Sequence, residues 1–276
     1  MAPSARLDQC LDAVRAGTLV PYLGAGVAAL GQSEVPTSPT ALAAVIEAQV
    51  RAPRRASGNL WSVAQFVESR RFRGTLNAIV EKAFASGVRG NPVHEWIASV
   101  RPPLVVDVWY DDGLIDAYRT GPADWGWVQG VTRNGQWAEI WTRTYDASGA
   151  LCEAGPDPAW RSLVYKPHGL AKKDYGFLMS DSDYVEVLTE IDIQSPIPDE
   201  VKSRRQGRGF LFLGCRFDDQ MLRTFARQIM KRSGGPHYAL LSGELTRMEK
   251  KFLDEQAIVP IEGDVADVVA AIVAAA

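Results

Sequence analysis

Apolar and polar positions along the chain follow two rhythms. Apolar runs at 19–23, 104–108, 163–166, 210–213, 237–241 and 258–261 are short and nearly continuous, as strands buried on both faces are. Between them, apolar residues recur at helical spacing, which predicts helices over 6–16, 39–50, 60–70, 72–85, 181–191, 219–231, 243–256 and 265–275. Asp218 or Asp219 supplies a cap for the helix after the fourth run, and Ser233-Gly-Gly-Pro236 supplies the breakers at its end. Strands alternating with helices predict an α/β fold, a parallel sheet of about six strands with helices on both faces.

One region breaks this rhythm. Residues 121–158 carry Trp125, Trp127, Trp137 and Trp141, alternating positions around Asn134-Gly135, and a second turn at Ala147-Ser-Gly149. An Asn-Gly pair between aromatic and β-branched residues is a hairpin cue, so this segment is expected to be an antiparallel, Trp-rich β-hairpin insertion. Its tryptophans either pack a small core against the main sheet or form a platform on the surface. The helical stretch 39–100 is a second candidate insertion within a single domain spanning 1–276.

Composition narrows the function classes. With 46% hydrophobic and 23% charged residues in 276, the chain has the make-up of a globular protein large enough for one sizeable core. A formal net charge of -3 removes the electrostatic case for nucleic acid, and the basic runs at 51–55 and 202–208 read as solvated loops. The longest apolar stretch, 265–276, is too short to span a membrane, and residues 1–11 lack a signal-peptide core, so a cytoplasmic protein is expected. Three widely spaced cysteines (Cys10, Cys152 and Cys215) and three histidines imply neither a disulfide framework nor a structural metal.

The richest chemistry lies at the carboxyl ends of the apolar runs, which converge on one crevice in a parallel sheet. Gly17-Thr-Leu-Val-Pro-Tyr-Leu-Gly-Ala-Gly-Val27 reads as a strand entering a tight turn with a helix-compatible segment behind it. Backbone amides of Gly24, Ala25, Gly26 and Val27 would then face an anion, which makes the turn either a diphosphate cradle or plain steric punctuation. Val106-Asp-Val-Trp-Tyr-Asp-Asp112, Val164-Tyr-Lys-Pro-His-Gly169 and Phe210-Leu-Phe-Leu-Gly-Cys-Arg-Phe-Asp-Asp219 follow the next strands. His168, in a turn just past a strand, is either a working base or a histidine bracing its loop. Asp107 either orients a water or caps a turn, Asp111 caps or hydrogen-bonds its turn, and Arg216 either reaches a phosphate or pairs with Asp218. Gly214 and Cys215 are placed for backbone contact with a ribose, with Cys215 read as a packing thiol. Asp264, in Glu262-Gly-Asp264, touches a base or caps the last helix. His94 reads as a helix-start residue and His237 as structural, while Gln65 and Glu68 lie on a helix beside the crevice or on its exposed face.

These four motifs, in this order, resemble the sirtuin-like family, particularly its bacterial branch, whose pattern runs Phe-Leu-Gly-Ala-Gly-Val-Ser, Thr-Thr-Asn-Tyr-Asp-Asp, Lys-Leu-His-Gly and Phe-Leu-Gly-Tyr-Ser-x-x-Asp. The resemblance implies a doubly wound Rossmann-like domain that binds NAD or an ADP-ribose-like nucleotide, with Gly24, Ala25 and Gly26 on the diphosphate. It also implies that His168 is the base near the ribose hydroxyls. The family's asparagine, which orders the nicotinamide ribose or its water, is matched here by Trp109, and the serine after Gly-Ala-Gly-Val is matched by Ala28. An indole offers one N–H donor and an apolar face, so it replaces neither half of an amide.

Loss of those polar groups favours a ligand-binding protein without the usual hydrolysis, a pseudoenzyme in the plain sense of a fold that keeps its ligand and drops its reaction. An NAD glycohydrolase dependent on His168 is the enzymatic alternative. A partner-binding or homo-oligomeric assembly module using the Trp-rich segment is the third. Deacetylation is not expected, because the cysteine-rich zinc module of the family members that perform it has no counterpart here. FAD, held through its ADP half, is a minor possibility.

Overall fold

The computed structural model describes residues 3–131, 141–173, 175–193 and 197–275. Every apolar run noted above forms a strand: β1 (Leu19–Leu23), β2 (Leu104–Asp107), β5 (Ser162–Lys166), β6 (Gly209–Leu213), β7 (His237–Leu241) and β8 (Ile258–Glu262). Two more come from the Trp-rich region, β3 (Trp125–Gly130) and β4 (Thr142–Asp146). The sheet is eight-stranded with the order β4-β3-β5-β2-β1-β6-β7-β8. All pairings are parallel except that between β3 and β4.

The strands are continuous in apolar character because alternate residues enter different cores. Val20, Tyr22, Val106, Tyr165, Phe210 and Phe212 face one cluster, whereas Leu19, Leu23, Val105, Val164, Leu211 and Leu213 face the other. The first is covered by α2 (Pro39–Gln49), α3 (Leu60–Arg71), α4 (Arg73–Ala83), α7 (Asp181–Ile193), α9 (Gln220–Met230) and α10 (Arg247–Glu255). The second is covered by α1 (Pro3–Arg15), α5 (Pro92–Val100), α6 (Gly113–Arg119) and α11 (Val265–Ala274). The stretch 39–100 is thereby shared between the two faces, with α2–α4 on one and α5 on the other.

The Trp-rich segment extends the main sheet at one edge. β3 runs parallel to β5 inside the main sheet, and β4 pairs antiparallel with β3 at the edge. Trp125 and Trp127 are fully buried and stack against one another, with Tyr118 and Tyr145 on either side. The Asn134-Gly135 cue and Trp137 lie outside the described residues.

The basic run at 202–208 does not form a solvated loop. Arg204 and Arg205 belong to α8 (Asp199–Arg205) and are buried. Arg204 donates to the carbonyls of Pro103 and Trp160, Arg205 to that of Ile229, and Arg208 to that of Gly17. Planar guanidinium groups here add hydrogen bonds to carbonyls at the ends of strands and helices. Among the described residues no helix is long and apolar enough to cross a membrane.

Candidate functional site

The chain leaves β1 toward β2 on one side and returns to β6 on the other, so the crevice of the sheet opens at the carboxyl end of β1. A cleft of about 340 Å³ lies there. Its walls are the turn after β1, residues 108–110 after β2, His168 after β5, residues 214–219 after β6, and the entries of α2 and α3.

The turn after β1 presses backbone to backbone on the turn after β6. A Cβ at Gly24 would sit 2.5 Å from the Gly214 carbonyl oxygen and 2.8 Å from Cys215 Sγ. Gly214 itself takes φ +63, a conformation suited to glycine. Most of the cradle's amides are committed to this contact: Gly24 N–H donates to Leu213 O, Gly26 N–H to Gly214 O, and Val27 N–H to Gly24 O. Ala25, the remaining residue of the turn, lines the cleft. Behind it lies a six-residue 3-10 segment, Ala25–Leu30, in place of an α-helix, so little dipole reinforces the turn. Val27 is buried outside the cleft, its carbonyl accepting Asn91 Nδ2.

Three longer helices also begin at the cleft, a convergence that one-dimensional reading did not anticipate. Ser38 caps α2, Asn59 caps α3 and Asp219 caps α9, and all three capping residues line the cleft. Asn59 Nδ2 donates to Asp219 Oδ2 at 3.1 Å and ties two of these ends together. Their N-termini turn positive dipole ends toward the cleft, against the lining carboxylates of Asp218 and Asp219, and Arg216 is the described lining side chain that could add a cation. Arg216 is unavailable for that role: its guanidinium grips Glu249 at 2.8 and 2.9 Å and the carbonyls of Ser242 and Glu244, so its partner is neither a phosphate nor Asp218.

His168 is buried against Tyr110, Tyr184 and Phe225. Its Nδ1 lies 3.0 Å from the Val108 carbonyl oxygen. A carbonyl only accepts, so Nδ1 carries the proton and Nε2 is a bare lone pair. That Nε2 is buried with no partner. Burial pushes the imidazolium pKa down to about 3, which keeps the ring neutral and makes it a good acceptor but a weak base at neutral pH.

Trp109 lines the same cleft. Its ring packs edge-on to Phe84 and tilted to Tyr110, and its Nε1 donates to Pro36 O at 2.8 Å, so the indole has no donor left for a ligand. Asp107 does not reach the cleft. Oδ2 accepts from Lys166 Nζ at 2.6 Å and Oδ1 accepts from the Trp109 N–H at 3.1 Å, because parallel pairing of β2 with β5 sets the two strand ends side by side. Lys166 was visible in its motif, but only strand order reveals its partner.

Asp111 borders a different cavity of about 310 Å³, beside Phe84 and the Asp112–Lys172 ion pair. Its Oδ1 accepts the Gly113 N–H, and burial with Asp107 nearby raises its pKa to about 7. Cys215 is buried and its thiol is pushed far up by burial. Asp264 caps α11 away from the cleft. Gln65 accepts from the Ser182 N–H and Glu68 pairs with Arg73. His237 Nδ1 accepts the Phe210 N–H, and His94 is buried in the first turn of α5. Gly24, Ala25, Gly26, Trp109, His168, Gly214, Cys215 and Arg216 thus meet at one cleft, while Val27, Asp107, Asp111 and Asp264 lie outside it.

The profile of the SIR2-like domain matches residues 103–261, more than half of the 276-residue chain. The chain belongs to the SIR2-like family. The matched stretch of this SIR2-like protein carries β2 through β8, with Trp109, His168 and Gly214. The Gly24–Gly26 turn precedes the match and joins it through the pairing of β1 with β2 and β6. No curated protein matches the chain.

The residues present fit the NAD-type ligand that the family implies at two points: a bare His168 Nε2 suited to a hydroxyl donor, and helix N-termini suited to phosphate. The cleft volume is at the lower end of the roughly 300–1,000 Å³ usual for ligand sites.

Proposed function

We propose that this SIR2-like protein binds an adenine nucleotide of the NAD or ADP-ribose class at the cleft and holds it without the usual hydrolysis. The observation that carries the reading is the pairing of His168 and Trp109. His168 offers a buried, unpartnered Nε2 acceptor, and Trp109 spends its N–H on Pro36. A ribose hydroxyl is the natural donor to that Nε2. Phosphate oxygens suit the Ala25 amide and the N-termini of α2 and α3.

Glycosidic cleavage would require a group that positions water and a base matched to neutral pH. The indole supplies neither donor nor acceptor, and a histidine that protonates only near pH 3 is a weak base. The protein therefore keeps recognition and loses the water-positioning amide.

Calorimetric titration with ADP-ribose and NAD tests this directly. Saturable binding is expected, weakened about tenfold by His168→Ala through loss of one hydrogen bond, with no nicotinamide released from NAD. The same bare Nε2 would serve a glycohydrolase, so sustained nicotinamide release abolished by His168→Ala would replace the binding reading with the enzymatic one. No affinity for any adenine nucleotide would sink both, and a yellow purified protein would point instead to a flavin.

A further inference from the structure

Among the described residues Lys166 is the largest charged side chain with no exposed surface, and the function proposed above does not use it. Its ammonium donates to Asp107 Oδ2 at 2.6 Å and to the Trp109 carbonyl at 2.8 Å. Asp107 Oδ1 meanwhile accepts the Trp109 N–H. Both backbone polar groups of Trp109 are thus held by one ion pair. The flanking residues are tied as well: Val108 N–H donates to Leu23 O, and Tyr110 O accepts the Ala171 N–H. Between these ties the Val108 carbonyl is aimed at His168 Nδ1.

We propose that Asp107 and Lys166 are positioning residues that lock the 107–110 turn, and so dictate which nitrogen of His168 carries the proton and which is left as an acceptor. A lone Val108 carbonyl selects the Nδ1–H tautomer only while it stays on the ring. Rotation of the Val108–Trp109 peptide would withdraw it and remove the reason for Nδ1 to hold the proton. The pair prevents that rotation by gripping the next residue at both its amide and its carbonyl. Its two strand ends are adjacent in the sheet, so the lock draws its rigidity from the β2–β5 ladder. The outcome is an imidazole that presents an acceptor, never a donor, and so admits a ligand hydroxyl or N–H and refuses a carbonyl or phosphate oxygen at that point.

The ligand half of this proposal rests on the functional reading above, while the tautomer half does not. ¹⁵N spectra of histidine-labelled protein report the tautomer without any ligand, with the His168 signal identified by its loss in His168→Gln. The wild type is expected to show one neutral Nδ1–H form with no titration between about pH 5 and 8. In the apolar replacement Lys166→Met with Asp107→Leu, which leaves no unpaired buried charge, the signal should move to mixed tautomers. ADP-ribose affinity should fall about tenfold. Asp107→Asn with Lys166→Met keeps an acceptor for the Trp109 amide and should restore part of the Nδ1–H population. An Nε2–H form in the wild type overturns the proposal outright, whether or not any variant folds. So does a folded apolar variant with the wild-type histidine spectrum. Absence of nucleotide binding in a wild type that shows the expected tautomer would refute the functional reading alone.

Discussion

Gly24→Ala isolates the contact on which the geometry of the cleft depends. Gly24 sits at φ -100, ψ -179, a conformation open to any residue, so the substitution carries no backbone penalty. Removing glycine flexibility from the unfolded chain alone would stabilise by about 0.4–1 kcal/mol. Against this, the new methyl would lie 2.5 Å from Gly214 O, 2.8 Å from Cys215 Sγ and 2.9 Å from Cys215 Cα. Two of those atoms are backbone, and the Gly24–Leu213 and Gly26–Gly214 hydrogen bonds restrain them. Overpacking of this kind costs about 1–3 kcal/mol, with the upper end appropriate where backbone must move, so the net destabilisation is about 2 kcal/mol. Urea unfolding followed by tryptophan fluorescence measures it, and a fall in Tm of about 3–4 °C should accompany it. Gly74→Ala is the control: it lies in α4 with nothing within 4 Å of its Cβ, and should be neutral or slightly stabilising. Adding Cys215→Ala to Gly24→Ala should recover only part of the loss, because the Gly214 oxygen remains. A Gly24→Ala protein as stable as Gly74→Ala would refute the close-approach account of the two turns.

Acid should destabilise the fold through its buried histidines. His168 and His94 titrate in the folded protein near pH 3 and 4, below the ordinary value, so their contribution is complete above pH 6.5 and is lost as pH falls. By pH 5 each loss is roughly 2 kcal/mol. Asp111, raised to about 7, acts with the opposite sign and offsets roughly one histidine over that range, so Asp111→Asn should about double the loss in urea-unfolding stability between pH 7 and 5. Arg216→Ala should cost roughly 1–3 kcal/mol by stranding the buried Glu249 carboxylate, yet leave ADP-ribose affinity within about twofold; a large affinity loss at unchanged stability would show that Arg216 reads the ligand. NADP should bind at least about tenfold more weakly than NAD in the same titration, because the added phosphate enters a cleft lined by Asp218 and Asp219 with Arg216 already paired.

The strands and most helices were legible in the sequence for a local reason. Burial on both faces makes a strand read as a continuous apolar run, and Asp219, Asn59 and Ser38 sit where helices begin. The antiparallel pairing of β3 with β4 matches the expected hairpin, but that β3 also joins the main sheet was harder to recognise, because Gly126 and Gly130 interrupt its apolar character. The short helices α6 and α8 went unread, one hidden behind Asp111-Asp112-Gly113 and the other inside a basic run.

The sequence by itself determined which residue types could meet a nucleotide, since glycine turns, His168 and the tryptophan in place of asparagine are all local facts of the chain. Tertiary structure decided what each was free to do. Gly24, Gly26 and Val27 gave their amides to the protein, Arg216 went to Glu249 and Asp107 to Lys166, whereas His168 Nε2 was left bare. Hydrogen-bonding capacity is a property of a residue, but whether it remains available depends on neighbours that are distant along the chain.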